Sequence, residues 1–261
     1  MQTEIWAHRG ANLEYPENTM AAFERAIALE ADGIEIDVQR TLDGKIVICH
    51  DENLLRLTGE NVMLKDKTYE ELLELNFSQQ DYTDTRYKLP LLEELLDLLQ
   101  DTQLKLNIEL KNSILLYKGM EEQIINLVSE RTMQEQVFYS TFNHESANKL
   151  VELGYADHTA ILYSSYLHDD IAYAKTVGVK ILHPLLTALQ KPNFVASAHD
   201  AGFKVNVWTV NQPEHLAIAL YFGVDAIITD EIGTALEMRT RFVENPQEFQ
   251  NLILQAMKSL Q

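Results

Sequence analysis

The stretch from Gly33 to Asp51 contains the residues best suited to do chemistry. Glu35 and Asp37 lie two positions apart, so a β-strand would place both carboxylates on one face, with their Cα atoms about 7 Å apart. The residues between and around them are aliphatic, which predicts a buried strand whose charged face lines a site. Two buried carboxylates repel each other unless a cation lies between them. The pattern therefore predicts a metal site.

A histidine returns towards the same end of this strand. Asp43-Gly44 predicts a tight turn, and the second arm of the hairpin brings His50 and Asp51 back towards the carboxylates. His50 alone would more often be an ordinary loop histidine. Cys49 should face away from it on the ribbon, so a cysteine nucleophile is not expected. An acidic pair followed by a histidine indicates metal-assisted acid–base chemistry.

Composition limits the partners of this chain. It has 21 basic and 40 acidic residues, a net charge of -19, and a surface of that charge repels nucleic acid and anionic membranes. No apolar run reaches the roughly 18 residues of a membrane span, so membrane insertion is not expected. The single cysteine and the lack of a basic, apolar leader after Met1 predict a cytoplasmic location. The composition is compatible with both a monomer and a homo-oligomer.

The 261 residues alternate short apolar strands with amphipathic helices through eight successive units. This count predicts an α/β fold of the TIM-barrel type, (β/α)8, formed by a single domain over residues 1–261. An open, doubly wound sheet is the alternative. Its phosphate-binding glycine pattern is missing after the first strand, where Gly10 stands alone.

Two segments depart from the repeat. Residues 52–89 predict a small capping insertion over one barrel face, with a helix that begins at a Thr68–Glu71 capping box. An extra C-terminal helix is predicted to begin at Asn245-Pro246 and to cover the barrel floor. Its apolar face would consist of Phe249, Leu252, Ile253, Ala256 and Leu260.

A TIM barrel collects its active site at the carboxyl ends of the strands. The polar and aromatic residues expected there are His8, Arg9, Glu35, Asp37, Asn107, Glu109, Lys111, Ser140, Phe142, Asn206 and Trp208. Arg9 and Lys111 could instead form structural ion pairs with Glu35 and Asp37, and Trp208 alone would more often be a core residue. The convergence of all these residues on one face favours a site.

The chain resembles the glycerophosphodiester phosphodiesterase family, metal-dependent TIM barrels of a wider phospholipase C-like superfamily. The resemblance extends through almost the whole chain in the family's order. Its motifs are Ala7-His-Arg-Gly10, Pro16-Glu-Asn-Thr19, Glu35-Ile-Asp37, Thr41-Leu-Asp-Gly44, His50-Asp51 with Leu54, Arg56 and Thr58, Leu89-Pro-Leu-Leu-Glu93, Asn107-Ile-Glu-Leu-Lys111, Ser140 with Phe142, Trp208-Thr and Ile228-Thr-Asp230.

The resemblance implies that Glu35, Asp37 and Glu109 are metal ligands and that His8 and His50 are the acid–base pair. Three carboxylates without cysteine or histidine form a hard oxygen site, which suits Mg²⁺ or Ca²⁺, with Mn²⁺ as an alternative. One histidine would remove a proton from the nucleophile while the other protonates the leaving alkoxide. The sequence leaves open which histidine has which role.

The resemblance also implies Arg9 and Lys111 as phosphate contacts and an attack by the glycerol 2-hydroxyl on phosphorus. Phe142 and Trp208 could pack against the carbon face of glycerol, and Asn206 could hold its hydroxyls. The expected reaction is hydrolysis of a glycerophosphodiester, a small molecule, to glycerol phosphate and an alcohol. A phospholipase-like enzyme acting on lipids and a non-catalytic phosphodiester-binding barrel are the alternatives.

Overall fold

The computed structural model describes residues 2–78 and 85–259. Eight parallel strands close into a barrel, because β1 pairs with β2 on one side and with β9 on the other, and a ninth strand, β3, pairs antiparallel with β2. The predicted TIM barrel is confirmed. The strands are β1 (Glu4–His8), β2 (Gly33–Arg40), β3 (Ile46–Ile48), β4 (Lys105–Leu110), β5 (Val137–Thr141), β6 (Thr159–Tyr163), β7 (Ile181–Pro184), β8 (Lys204–Val207) and β9 (Ala226–Thr229).

Helices alternate with the barrel strands as the sequence predicts. Thr19 caps the first of them by accepting a hydrogen bond from the Ala22 N–H, and the Thr68–Glu71 capping box is present. The helices are α1 (Met20–Ala28), α2 (Leu55–Thr58), α3 (Tyr69–Leu73), α4 (Leu92–Leu99), α5 (Met120–Ser129), α6 (His144–Glu152), α7 (Asp170–Val177), α8 (Phe194–Asp200), α9 (Pro213–Phe222), α10 (Ile232–Glu244) and α11 (Gln250–Ser259).

Strand β2 illustrates how the barrel separates its two faces. Ile34, Ile36 and Val38 are fully buried and belong to a hydrophobic cluster shared with the surrounding helices. Because side chains alternate along a strand, Glu35 and Asp37 project to the opposite side. The aliphatic residues therefore hold the strand in place, and the acidic ones line the site.

The segment after β2 forms a small structure of its own. β3 pairs with β2 so that Ile48 lies opposite Val38, and Gly44 has the positive φ of +84° that the intervening turn requires. Further along, the segment has a separate hydrophobic cluster that includes Leu54, Leu57, Leu64, Leu72, Phe77 and Leu89. Residues 79–84 of the predicted insertion lie outside the described residues. The bounds 52–89 and the single domain stay predictions.

The C-terminal helix differs from its prediction. Its first turn, Pro246–Phe249, is a 3-10 helix, and the Asn245 side chain forms no capping hydrogen bond. The helix α11 packs against α9, and Phe249, Ile253 and Ala256 join the hydrophobic cluster that α9 shares. Its covering of the barrel floor stays a prediction. Leu260 lies outside the described residues. Among the described helices, none combines the length and the apolar character needed to cross a membrane.

The floor of the barrel is open. A cavity of about 710 Å³ lies at the amino-terminal ends of the strands, lined in part by Trp6, Lys105, Phe138 and Asn206. This cavity is at the end of the barrel opposite to the predicted catalytic residues. The barrel geometry, in which chemistry gathers at the carboxyl ends of the strands, takes precedence over cavity size in locating the active site.

Candidate active site

Three acidic side chains meet at the carboxyl ends of β2 and β4. The two strands pair in register, with Asp37 opposite Glu109 and Glu35 opposite Asn107. One carboxylate oxygen from each of Glu35, Asp37 and Glu109 lies within 4.8 Å of the others. All three side chains are buried. The structure thus brings together the three residues that the resemblance implies as metal ligands.

The electrostatics of this cluster favour a cation. Burial and the neighbouring charges of Asp37 and Glu109 raise the pKa of Glu35 well above its usual value. Burial and the charge of Asp37 likewise raise the pKa of Glu109. Oδ1 of Asp37 is buried without a hydrogen-bond partner among the described residues. An unpaired oxygen amid mutually repelling carboxylates fits a hard divalent cation.

Two basic side chains border the carboxylates. Nε of Arg9 lies 3.3 Å from Oδ2 of Asp37, and the Arg9 backbone N–H donates to Oε2 of Glu35 at 3.1 Å. Nζ of Lys111 donates to Oε1 of Glu109 at 2.9 Å and lies 3.8 Å from Oδ1 of Asp37. Burial would raise the pKa of Asp37, but the charges of Arg9 and Lys111 outweigh it and lower this pKa. Asp37 is therefore the ionised centre of the cluster.

The loop after β1 has a strained backbone that aims these groups. Arg9 and Asn18 have φ values of +58° and +57°, in the left-handed region that residues with a side chain rarely occupy. The Asn18 amide donates to Oδ2 of Asp37 at 2.9 Å. A Cβ atom on Gly10, whose φ is +80°, would lie 2.9 Å from the backbone of Ala22. Glycine in the His-Arg-Gly motif thus permits close contact with α1.

His8 is oriented by a carboxylate from the last strand of the barrel. Its Nδ1 lies 2.7 Å from Oδ1 of Asp230, which also accepts a hydrogen bond from the Asn12 amide, while Oδ2 accepts one from Asn211. Burial would raise the pKa of Asp230, but these hydrogen bonds and the histidine charge lower it to about 2. With Nδ1 engaged, Nε2 is the nitrogen of His8 suited to exchange a proton with a substrate.

A carboxylate also orients His50, and it comes from the next residue in the chain. Its Nδ1 lies 2.7 Å from Oδ1 of Asp51, whose two oxygens also accept hydrogen bonds from the Arg56 guanidinium at 2.7 and 2.9 Å. The backbone N–H of Cys49, the residue before His50, donates to the carbonyl of Asp37 at 2.8 Å, which brings this loop beside the carboxylate cluster. Both histidines that the sequence singles out therefore have a carboxylate on Nδ1.

Two aromatic residues form an edge-to-face pair near the site. The ring centroids of Phe142 and Trp208 are 5.6 Å apart at 87°, and Nε1 of Trp208 donates to the His183 carbonyl at 2.8 Å. Asn206, expected beside them, lies deeper. Its amide contacts Nε2 of His183 at 2.9 Å, and it lines the floor cavity, so the expected contact with substrate hydroxyls is wrong.

The orienting residues are the part of the site that sequence reasoning missed. Asp230 and Glu17 belong to recognisable motifs, but neither was expected to contact a histidine or Arg9. The signal for Asp230 is its place one residue after the last strand, next to the first strand once the barrel closes. Asn12 and Asn211 carry no comparable signal, because they lie in irregular loops.

A closed parallel barrel with a buried carboxylate cluster at the carboxyl ends of its strands has the architecture of a TIM-barrel enzyme. The sequence model of the Glycerophosphoryl diester phosphodiesterase family matches residues 8–234. A glycerophosphodiester phosphodiesterase of Bacillus altitudinis is 40% identical over 240 residues, covering 91% of this chain and 98% of that protein. The chain belongs to this family and is therefore a phosphoric diester hydrolase.

Solved structures agree with the fold. A glycerophosphoryl diester phosphodiesterase structure from Silicibacter pomeroyi superposes with a TM-score of 0.83 at 24% identity, covering 93% of this chain and 94% of that one. A phosphodiesterase from Oleispira antarctica, in complex with the product sn-glycerol-3-phosphate, gives a TM-score of 0.77 at 24% identity, with coverages of 91% and 96%. At this identity the likeness establishes the barrel.

Proposed function

We propose that this protein hydrolyses glycerophosphodiesters to glycerol phosphate and an alcohol, with one divalent cation and two histidines. The observation that carries the proposal is the pairing of His8 with Asp230 and of His50 with Asp51 beside a buried carboxylate cluster. Binding alone needs no oriented acid–base pair, so the arrangement argues against a non-catalytic barrel. The product found in the Oleispira antarctica phosphodiesterase supports the same class of substrate.

The cation would be held by Glu35, Asp37 and Glu109. Oxygen ligands alone favour Mg²⁺ or Ca²⁺, with Mn²⁺ as an alternative. Such an ion, when bound, polarises a phosphoryl oxygen and lowers the pKa of a neighbouring hydroxyl. Because the three carboxylates and the two basic residues beside them sum to one negative charge, the cluster attracts a cation without help from the remaining surface.

The side chains of the protein then bind and orient the diester. Arg9 and Lys111, which border the carboxylates, would contact the non-bridging phosphate oxygens, and the Phe142–Trp208 pair would offer an apolar surface to the glycerol carbons. In the proposed first step, one histidine accepts the proton of the glycerol 2-hydroxyl as its oxygen attacks phosphorus. The other histidine protonates the departing alcohol, leaving a cyclic phosphodiester.

The second step opens that cyclic diester with water. The histidine that gave up its proton now accepts one from water, and the histidine that holds a proton returns it to the 2-oxygen of glycerol. This sequence restores both histidines and yields glycerol phosphate. Carboxylates at both Nδ1 atoms support the exchange of roles, because each stabilises its imidazole in the charged form.

The test is turnover of glycerophosphocholine by the purified protein before and after removal of metal. Exhaustive chelation should abolish turnover, and Mg²⁺, Ca²⁺ or Mn²⁺ should restore it. His8→Ala and His50→Ala should each lower kcat by about 10²–10⁴-fold. His168→Ala, in an exposed loop, serves as the control and should leave kcat unchanged. Product binding without turnover in the wild-type protein would instead support a non-catalytic barrel.

A second candidate substrate is a lysophospholipid, a glycerophosphodiester whose glycerol bears an acyl chain. The loop between β4 and α5, just after Lys111, exposes Ile114 by 73% and Leu116 by 79%. Exposed aliphatic side chains next to an active site can receive an apolar chain. If they do, Ile114→Ser and Leu116→Ser should raise KM for a lysophospholipid and leave KM for glycerophosphocholine unchanged. Equal effects on both substrates would exclude this role.

A further inference from the structure

An uninterrupted series of charged contacts links His50 to Arg9. Arg56 donates to both oxygens of Asp51, the carboxylate that orients His50. Its other N–H groups donate to both oxygens of Glu17 at 2.8 and 2.9 Å. Glu17 in turn accepts a hydrogen bond from Nη1 of Arg9 at 2.9 Å. The guanidinium of Arg56 therefore bridges a carboxylate of the first loop and one of the segment after β3.

The burial of Glu17 makes these contacts matter. Its side chain is only 12% exposed, and that of Arg9 is 17% exposed, so water screens their interaction weakly. Burial would raise the pKa of Glu17, but hydrogen bonds and charge from Arg56 and Arg9 outweigh it and lower this pKa. Glu17 is thus an ionised carboxylate between two guanidiniums, which would repel each other without it.

We propose that Glu17 and Arg56 are positioning residues that hold Arg9 and His50 in one arrangement and so couple the segment after β3 to the phosphate-binding loop. The inference rests on the proposed function, because that function gives Arg9 and His50 their roles. Neither Glu17 nor Arg56 belongs to the carboxylate cluster itself. The backbone of Arg9 is in the left-handed region. Its guanidinium contacts Asp37 and Glu17, and these contacts fix the direction of the side chain.

The planar guanidinium of Arg56 suggests a conservative substitution that tests its geometry separately from its charge. A planar guanidinium can form two-pronged contacts with Glu17 and Asp51 at once, and the ammonium of lysine keeps the charge but not this geometry. Arg56 is 48% exposed, so Arg56→Lys should fold normally. A displacement of about 1 Å in a reacting group can cost on the order of 10²-fold in rate. We therefore expect Arg56→Lys and Glu17→Gln each to lower kcat by about 10–100-fold, with a smaller change in KM.

Glu14→Gln is the matched control. Glu14 lies in the same loop, and its replacement deletes the same charge, but within residues 2–78 and 85–259 its ion pair is with the exposed Arg25. Its kcat should equal that of the wild-type protein. Metal affinity should be unchanged in Arg56→Lys, because the ion pairs of Arg56 are with Glu17 and Asp51, which lie outside the carboxylate cluster.

A double-mutant cycle separates positioning from general stability. Arg56 bridges Glu17 and Asp51, so repeating the Glu17→Gln and Asp51→Asn cycle in an Arg56→Met background measures the share of their coupling in kcat that depends on Arg56. We expect their losses in kcat to be strongly non-additive in the wild-type background and additive in an Arg56→Met background. Additive losses in both backgrounds, or an Arg56→Lys variant with the wild-type kcat, would overturn the proposal.

Hydrogen exchange gives a readout that does not depend on turnover. If the contacts hold the two segments together, amides of residues 51–58 should exchange faster in Glu17→Gln and Arg56→Lys than in Glu14→Gln, under conditions where all are folded. Unchanged exchange in this segment would contradict the proposal. If the wild-type protein exchanges as expected but turns over no glycerophosphodiester, the proposed function fails while the structural coupling stands.

Discussion

Nδ1 of His8 lies 2.7 Å from Oδ1 of Asp230, although 222 positions separate the two residues in the chain. The contact exists because β1 and β9 are neighbours in the closed barrel, where Ala7 pairs with Thr229. Asp230 is itself held by the Asn12 and Asn211 amides. Barrel closure thus supplies the first histidine with an orienting carboxylate, whereas His50 takes its own from the next residue, Asp51.

Asp230→Asn should disturb the orientation of His8 and leave substrate binding almost unchanged. An amide cannot stabilise the charged imidazole, and it can favour the wrong tautomer, so we expect kcat to fall by about 10²-fold or more with little change in KM. Steady-state kinetics on glycerophosphocholine measure this. Asp225→Asn is the control, because Asp225 pairs with His199 at the floor of the barrel, away from the site. A comparable loss of kcat in both variants would contradict the assignment.

Asp230 should also make the free energy of unfolding depend on pH in the acidic range. The pKa of Asp230 in the folded protein is lowered to about 2 from the ordinary 3.8, so its ionised form stabilises the folded state above that ordinary value. The contribution is lost as the pH falls through about 2. The difference in unfolding free energy between wild type and Asp230→Asn should therefore shrink as the pH falls from about 4 through about 2. Urea titrations across this range test it.

Glu35 and Asp37 should respond in opposite ways to neutralisation in the metal-free protein. The pKa of Glu35 is raised by burial and by two neighbouring carboxylates, so its ionised form opposes folding at neutral pH. Glu35→Gln should then raise the Tm of the metal-free protein by about 2–4 °C, equivalent to about 1 kcal/mol. Asp37→Asn should lower Tm, because Arg9 and Lys111 each lose one carboxylate partner and keep only Glu17 and Glu109, respectively.

Calorimetric melts with and without a chelator measure these shifts. Both variants should lose the rise in Tm that Mg²⁺ or Ca²⁺ produces in the wild-type protein, since a bound ligand stabilises only the state that binds it. A Glu71→Gln control, in an exposed capping box, should keep that rise. An unaltered metal response in Glu35→Gln would exclude Glu35 as a ligand.

The sequence predicts those features of the site that depend on strand alternation. The inward placement of Glu35, Asp37 and Glu109 follows from a period of two along β2 and β4. Arg9 and His8 follow from their position at the end of β1. These relations are local, and a buried strand leaves little freedom in the direction of its side chains.

The features that the sequence could not predict depend on how deep a residue lies in the barrel and on how distant segments pack together. Asn206 lies inward, as alternation requires, but at the depth of the floor cavity, because the stagger of strands around a barrel is not encoded in any one strand. The helix α11 has a clear apolar face, yet the pattern does not say which surface it covers. Contacts such as Glu17 with Arg56 join two irregular loops, whose paths no period predicts.

Gly33 should be intolerant of any side chain, for reasons of packing. A Cβ atom there would lie 2.8 Å from Cδ1 of Trp6, its partner across β1 and β2. We expect Gly33→Ala to cost about 1–3 kcal/mol of unfolding free energy. Gly233→Ala is the matched control: no atom lies within 4 Å, the site is in α10, and a gain of about 0.5–1 kcal/mol is expected. Urea denaturation distinguishes the two, and equal effects would contradict the argument.

The last prediction concerns the glycerol 2-hydroxyl and the charge of the substrate. Three carboxylates, one divalent cation, Arg9 and Lys111 sum to a single positive charge. That sum neutralises a phosphodiester monoanion, whereas a dianionic monoester would leave a buried negative charge. We therefore expect glycerophosphocholine and glycerophosphoethanolamine to be hydrolysed much faster than a simple phosphomonoester.

If the 2-hydroxyl is the nucleophile, the 2-deoxy analogue of glycerophosphocholine keeps its charge and its apolar contacts but lacks the attacking oxygen. Its kcat should fall by several orders of magnitude, while its binding as an inhibitor should change little, since the proposed contacts of Arg9, Lys111 and the Phe142–Trp208 pair are with other atoms. Steady-state kinetics on the matched pair decide the matter. Equal kcat values would show that water attacks the diester directly, and faster monoester hydrolysis would refute the charge argument.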